Sequence, residues 1–188
     1  YEVDIFEAKS KASGLTVFGT APYKITNEEA LAEVDYLQAQ LGFLIKYTSP
    51  ISTEAQIQSL EEQYDAIFLG VGNGPTAGLG IDGEQLENVI GAVEFVEALR
   101  FQKHKISVPE RVVVIGGGNT AMDAASESAR MGAGQVHLVY RRPKEQMGAY
   151  YFEYDLAISA GVQSIFGASP LAILGTDKAI GVRFIKTK

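Results

Sequence analysis

One stretch, VVVIGGGNTAMD over residues Val112–Asp123, constrains this chain more than any other. Val112, Val113, Val114 and Ile115 form a continuous branched apolar run, as in a strand covered on both faces. Three glycines then allow a turn with no side chains in the way. A helix follows, kept slim by Ala121, Ala124, Ala125 and Ala129. A second apolar strand, QVHLVYRR, ends in Arg141 and Arg142. Strand, glycine turn, helix and strand in this order are what a dinucleotide-binding unit needs. Gly116 suits the sharp turn, and Gly118 lets the backbone approach a pyrophosphate. Ala121 stands where the third glycine of the pattern keeps helix and strand close. With Gly117, the residues Asn119 and Thr120 complete the turn and open the helix, whose free N–H groups and positive dipole end favour a bound anion. Thr120 to Asp123 reads as a capping box for that helix.

The end of the second strand decides between nicotinamide cofactors. An acidic residue there holds the ribose hydroxyls of NAD and repels a 2′-phosphate, whereas guanidinium groups attract the phosphate and can bind it bidentately. Arg141 and Arg142 therefore favour NADP, with NAD as the alternative. Asp123 and Glu127, on one helix face, read as solvated charges rather than an acid–base pair.

The 188 residues suffice for one domain or two partial ones. An apolar content of 46% marks a core-forming chain. The net charge of -7 argues against a nucleic-acid partner. No apolar run approaches the roughly 20 residues of a membrane span, and no secretory signal is visible, so the expected setting is cytoplasmic. Cysteine is absent, so this chain holds no disulfide, iron–sulfur cluster or thiolate metal site; with only His104 and His137, no metal site is expected.

Along the chain, Glu2–Ala8 reads as a buried strand and Ser10–Thr26 as a loop. A helix is expected over Asn27–Leu41, capped by Asn27, then a short strand over Phe43–Tyr47. A second helix over Ser52–Tyr64 has Ser52 or Thr53 as its cap. Ala66–Val71 is a continuous apolar run, as in a parallel strand buried on both faces. A glycine-rich loop covers Gly70–Gly83, a mostly helical segment Leu86–Arg100, and a polar linker Gln102–Glu110. After strand Arg111–Ile115, helix Thr120–Met131 and strand Gln135–Tyr140 come helix Tyr150–Ala160, strand Val162–Phe166, and a hairpin of Ala172–Leu174 with Ile180–Ile185. The alternation predicts an α/β chain: a Rossmann-like three-layer nicotinamide-binding domain plus part of a second Rossmann-like domain. The expected division is 1–75, 76–110 as crossover and linker, and 111–188. VDIFEA at Val3–Ala8 resembles VHLVYR at Val136–Arg141, each like the second strand of a nucleotide-binding βαβ unit. The first copy lacks its glycine loop, which would fall before Tyr1, so the chain reads as a portion of a larger protein.

Several segments together resemble one superfamily. YEVDIFEAKSKASGLTVFGTAPYKIT, DAIFLGVGNG, LGIDGEQLENVIGAVEFV, VVVIGGGNTAMDAA and VYRRPKEQMGA are similar, in this order, to the small subunit of bacterial glutamate synthase and the NAD(P)H-oxidising part of dihydropyrimidine dehydrogenase. The details FGTAPYKIT and MGAYYFEYDLA lean towards the latter. The resemblance implies FAD as a second cofactor, with Glu7 holding its ribose and Ser13, Gly14, Leu15 and Lys24 along the flavin nucleotide. Ser13 departs from the double glycine usual before Leu15. It also implies contacts from Gly117, Gly118, Asn119, Thr120, Arg141 and Arg142 to NAD(P)H, no catalytic acid or base, and a partner domain or catalytic subunit carrying iron–sulfur clusters. With half the flavin site outside this chain, turnover by the chain alone is not expected. Thioredoxin reductase has a similar glycine turn preceded by a C-x-x-C pair. Phe101–Glu110 contains no cysteine, which excludes a dithiol mechanism within this chain. From another class, a non-catalytic nucleotide-sensing module with the same fold remains open.

Overall fold

The computed structural model describes residues 1–102 and 105–187, so His104 lies outside the described residues. They form two compact units, Tyr1–Phe18 with Pro22–Gly74, and Gly19–Ala21 with Pro75–Lys188.

The first unit contains strand β1 (Asp4–Phe6), helices α1 (Gly14–Phe18) and α2 (Asn27–Leu41), strand β2 (Leu44–Lys46) and helix α3 (Glu54–Gln63). β1 and β2 pair in parallel, with Asp4 opposite Leu44 and Phe6 opposite Lys46. The helix starts follow local chemistry. Thr26, rather than Asn27, caps α2: its hydroxyl accepts the Glu29 N–H at 3.2 Å, and the Glu29 carboxylate accepts the Thr26 N–H at 2.9 Å. Thr53 and Gln56 repeat this arrangement at α3. Gly42 ends α2 with φ 72°, the left-handed conformation glycine adopts without cost.

Three further expectations fail in this unit. The Ser10–Thr26 loop contains α1. The first strand is shorter than Glu2–Ala8 and only half-buried. Ala66–Val71 is not a buried strand: Phe68 is 94% exposed and Val71 86%. A strand covered on both faces needs pairing partners and packed layers. Among the described residues β1 and β2 pair only with each other, α2 buries only Ala30, and α3 buries nothing.

The second unit contains α4 (Ala92–Gln102), β3 (Arg111–Ile115), α5 (Asn119–Arg130), β4 (Gln135–Tyr140), α6 (Tyr151–Ser159), β5 (Gln163–Phe166), β6 (Ala168–Gly175) and β7 (Ala179–Lys186). β3, β4 and β5 form a parallel sheet in that order, one half of a Rossmann-like arrangement. Val114 lies opposite Leu138, and Leu138 opposite Ser164. Val114, Val136 and Leu138 face Ala121, Met122, Ala124 and Ala125 of α5 and Tyr154 and Ala157 of α6, which make the core. The helix expected over Leu86–Arg100 begins only at Ala92. The Asn88 side chain bonds the Ala179 N–H and carbonyl instead, which holds this segment to the hairpin out of helical conformation. The hairpin is longer than expected, β6 pairing antiparallel with β7 from Ala168–Lys186 inwards.

Candidate dinucleotide-binding site

The candidate site lies where β3 leaves the sheet. The Gly116 N–H donates to the Val139 carbonyl at 3.0 Å, so the glycine turn and the end of β4 emerge side by side. Gly116 has φ 154°, and a Cβ there would meet the Ala121 methyl at 3.0 Å. This is the close approach the small residue at Ala121 permits. At Gly117 a Cβ would lie 2.6 Å from the Tyr140 ring, which covers this point of the turn. Gly118 is different, because a Cβ there would meet nothing within 4 Å. Its space is open at the start of α5.

Gly118 is the N-cap of α5 and provides no side-chain cap. The expected Thr120–Asp123 capping box does not form. The helix has already begun at Asn119, so Thr120 is inside the first turn, and the Asp123 carboxylate accepts the Ala21 N–H at 3.3 Å. Among the described residues the amides of Asn119 and Thr120 have no backbone partner. An open space faced by uncapped helix amides fits a pyrophosphate, which would satisfy them. Arg141 and Arg142 are exposed just past β4. Their carbonyls bond Thr187 Oγ1 and the Gly167 N–H, while neither guanidinium has an ion pair among the described residues. The nearby Lys144 ammonium is taken up, lying 4.1 Å from the Tyr154 ring centroid.

The following loop closes on this turn. The Ala149 N–H donates to the Gly117 carbonyl at 2.9 Å, and the Tyr150 N–H to Asn119 Oδ1 at 3.0 Å. Tyr140 Oη donates to the Gln146 carbonyl at 3.0 Å. Sequence reasoning missed Tyr140, Ala149 and Tyr150 as supports of the turn. The small pair Gly148-Ala149 was the available signal. It also misjudged α5, where Asp123 and Glu127 are buried, at 3% and 6% exposure, rather than solvated. The Asp123 carboxylate accepts the Ala21 N–H, and the Ala21 carbonyl in turn accepts from Arg100 of α4.

The residues expected at a flavin lie in the first unit. Glu7 directly follows β1; its carboxylate accepts the Lys9 N–H at 2.8 Å. Lys9 Nζ lies 5.0 Å from the Phe18 ring, joining the Glu7 turn to α1. Ser13 has φ 74° and Gly14 φ 44°, so the serine adopts the left-handed backbone of the glycine usual there. Leu15 is exposed at 65%, and Lys24 Nζ lies 5.7 Å from the Tyr23 ring.

Residues 7–188 match the family described as pyridine nucleotide-disulphide oxidoreductase. The chain belongs to this family. It contains no cysteine for the disulphide chemistry in that description. It is 31% identical to the beta subunit of the NADP(+)-dependent formate dehydrogenase of Moorella thermoacetica, over 100% of this chain and 27% of that protein. It is also 31% identical to the glutamate synthase [NADPH] small chain of Escherichia coli K12, over 98% of this chain and 41% of that protein. The chain thus spans well under half the length of these relatives. FprA from Mycobacterium tuberculosis shares the fold, with a TM-score of 0.77 at 21% identity over 99% of this chain and 60% of FprA. No helix among the described residues is long and apolar enough to cross a membrane.

Proposed function

We propose that this chain is the electron-input part of a flavin-dependent oxidoreductase, binding NADPH at the α5 turn and FAD with the help of the first unit. The observation that carries the reading is the uncapped, open N-terminus of α5 beside Arg141 and Arg142, both exposed and without an ion pair among the described residues. The Gly117–Thr120 backbone would hold the pyrophosphate, and Arg141 and Arg142 the 2′-phosphate. Glu7 would hold the FAD ribose, with Ser13, Gly14, Leu15 and Lys24 along the flavin nucleotide. The Glu7 carboxylate keeps acceptor capacity beyond the single Lys9 N–H, and Ser13 already has the glycine-like backbone, which support that assignment. Once bound, the cofactors supply the redox chemistry, a hydride passing from NADPH to FAD. The chain's own residues bind and orient, so no catalytic acid or base is needed. We assign residues 1–75 to the flavin side, 76–110 to the crossover and 111–188 to the nicotinamide side. The relatives' names, a beta subunit and a small chain, support a partner carrying the onward electron path, which we take to be an iron–sulfur domain or catalytic subunit.

The test is anaerobic addition of NADPH to the full-length, FAD-loaded protein. Loss of the flavin's visible absorbance is expected. NADPH binding with the flavin left oxidised would overturn the redox reading and favour a nucleotide sensor.

A further inference from the structure

Arg141 and Arg142 leave β4 on an exposed loop, and an exposed loop is ordinarily mobile. This one is pinned along its length. Pro143 fixes its own backbone, at φ -58°, and Lys144–Gln146 make a single 3₁₀ turn behind it. The last carbonyl of that turn, at Gln146, accepts from Tyr140 Oη at 3.0 Å. The Arg141 carbonyl accepts from the hydroxyl of Thr187, directly after β7, at 2.6 Å. The Arg142 carbonyl accepts the N–H of Gly167, directly before β6, at 3.4 Å. The Thr187 N–H donates to the Gly167 carbonyl at 2.8 Å, which ties the two anchors together. The phenol that ends β4 thus holds the far end of the loop, and the base of the β6–β7 hairpin holds the near end. None of these bonds uses a guanidinium donor.

Resting on the dinucleotide reading above, we propose that Tyr140 and Thr187 are positioning residues for the cofactor's 2′-phosphate: their hydroxyls hold the arginine loop in its phosphate-receiving form before the cofactor arrives. Each acts through a backbone carbonyl of the loop. A site formed in only a fraction of the molecules binds more weakly by that fraction, and ordering a loop on binding costs affinity. The pyrophosphate site at the start of α5 does not use either hydroxyl. The two hydroxyls therefore set the preference for a phosphorylated cofactor rather than the affinity for any dinucleotide.

The experiment is calorimetric titration of NADP+ and NAD+, the oxidised forms so that no hydride moves, into the full-length protein and two variants. Tyr140→Phe keeps the ring over Gly117 and removes only the hydroxyl; Thr187→Val does the same at the hairpin. Each should weaken NADP+ binding about three- to fivefold, the scale of one hydrogen bond exchanged with water. NAD+ binding should stay within about twofold, because it has no phosphate for the arginines to hold. A merely structural role would weaken both cofactors alike. Equal losses for both, or an unchanged NADP+ to NAD+ ratio in either variant, would overturn the proposal. Should Tyr140→Phe not fold, the ratio in Thr187→Val decides alone. Wild-type protein that binds neither cofactor, or both equally, overturns the 2′-phosphate reading and this inference together. A wild type that prefers NADP+, with variants that keep the same preference, overturns the inference alone.

Discussion

Leu138 and Ile5 occupy matching places in the two copies of one sequence pattern, VHLVYR and VDIFEA, yet Leu138 is 1% exposed and Ile5 41%. β4 has a strand on each edge and two helices packed on its face; β1 has one neighbour and little above it. The pattern of apolar residues sets which strand forms. The layers around it set how far each side chain is removed from water. The second unit draws its order from a core, whereas the first leans on surface chemistry. There, Asp4 pairs with Lys46 at 2.7 Å and accepts from the Tyr64 hydroxyl, and Lys46 lies 4.8 Å from the Phe6 ring.

The largest test of that contrast is a matched pair of truncations. Leu138→Ala should cost about 2–5 kcal/mol in chemical denaturation, as a cavity in a closed core does. Ile5→Ala should cost less than about 1 kcal/mol, because less area leaves water in the folded state. Equal losses would mean the first unit is packed as tightly as the second.

Gly118→Ala separates the turn's fold from its proposed ligand. With φ -100° and open space at its Cβ, the folded protein should be left within about 1 kcal/mol of its stability. NADPH affinity should nevertheless fall about tenfold or more, the methyl occupying the space assigned to pyrophosphate. Unchanged affinity would leave the glycine without a ligand role.

The glycine turn was legible because it is local: Gly116, Gly118 and Ala121 act within one strand–helix junction, and β3 and β4 have the expected bounds. What the sequence hid depends on distant residues. Asp123 looks solvated until the Ala21 N–H, about a hundred positions earlier, is brought to it, and its supposed cap role is lost because its carboxylate accepts that N–H instead. Ala66–Val71 has a buried strand's composition without a buried strand's neighbours. Tyr140 covers Gly117 only because a parallel strand brings it there.

Smaller effects sharpen the picture of the first unit. Ser13→Gly removes a side chain from a left-handed backbone at φ 74°, and should stabilise by up to about 1 kcal/mol in thermal unfolding. Destabilisation would mean the hydroxyl holds the turn. The hydrogen bonds from Lys46 and then Tyr64 hold the Asp4 carboxyl below its ordinary pKa of 3.8. A lowered folded pKa stabilises fully above the unfolded value and is lost as pH falls through the folded one. Asp4→Asn should therefore weaken the protein at neutral pH, the gap beginning to close as pH falls below about 3.8 and vanishing only once pH has passed the lowered folded value. A pH-independent difference between the two would show that the charge is not the cause.

The most direct test of the central claim is calorimetric titration with NADPH and NADH, on the wild type and on an Arg141→Ala/Arg142→Ala variant. The account predicts tighter binding of NADPH by the wild type. The variant should lose about ten- to a hundredfold for NADPH, the scale of charge-assisted hydrogen bonds, while NADH is little changed. Equal affinities in the wild type, or equal losses for both cofactors, would contradict the 2′-phosphate role, and no binding of either would contradict the site itself.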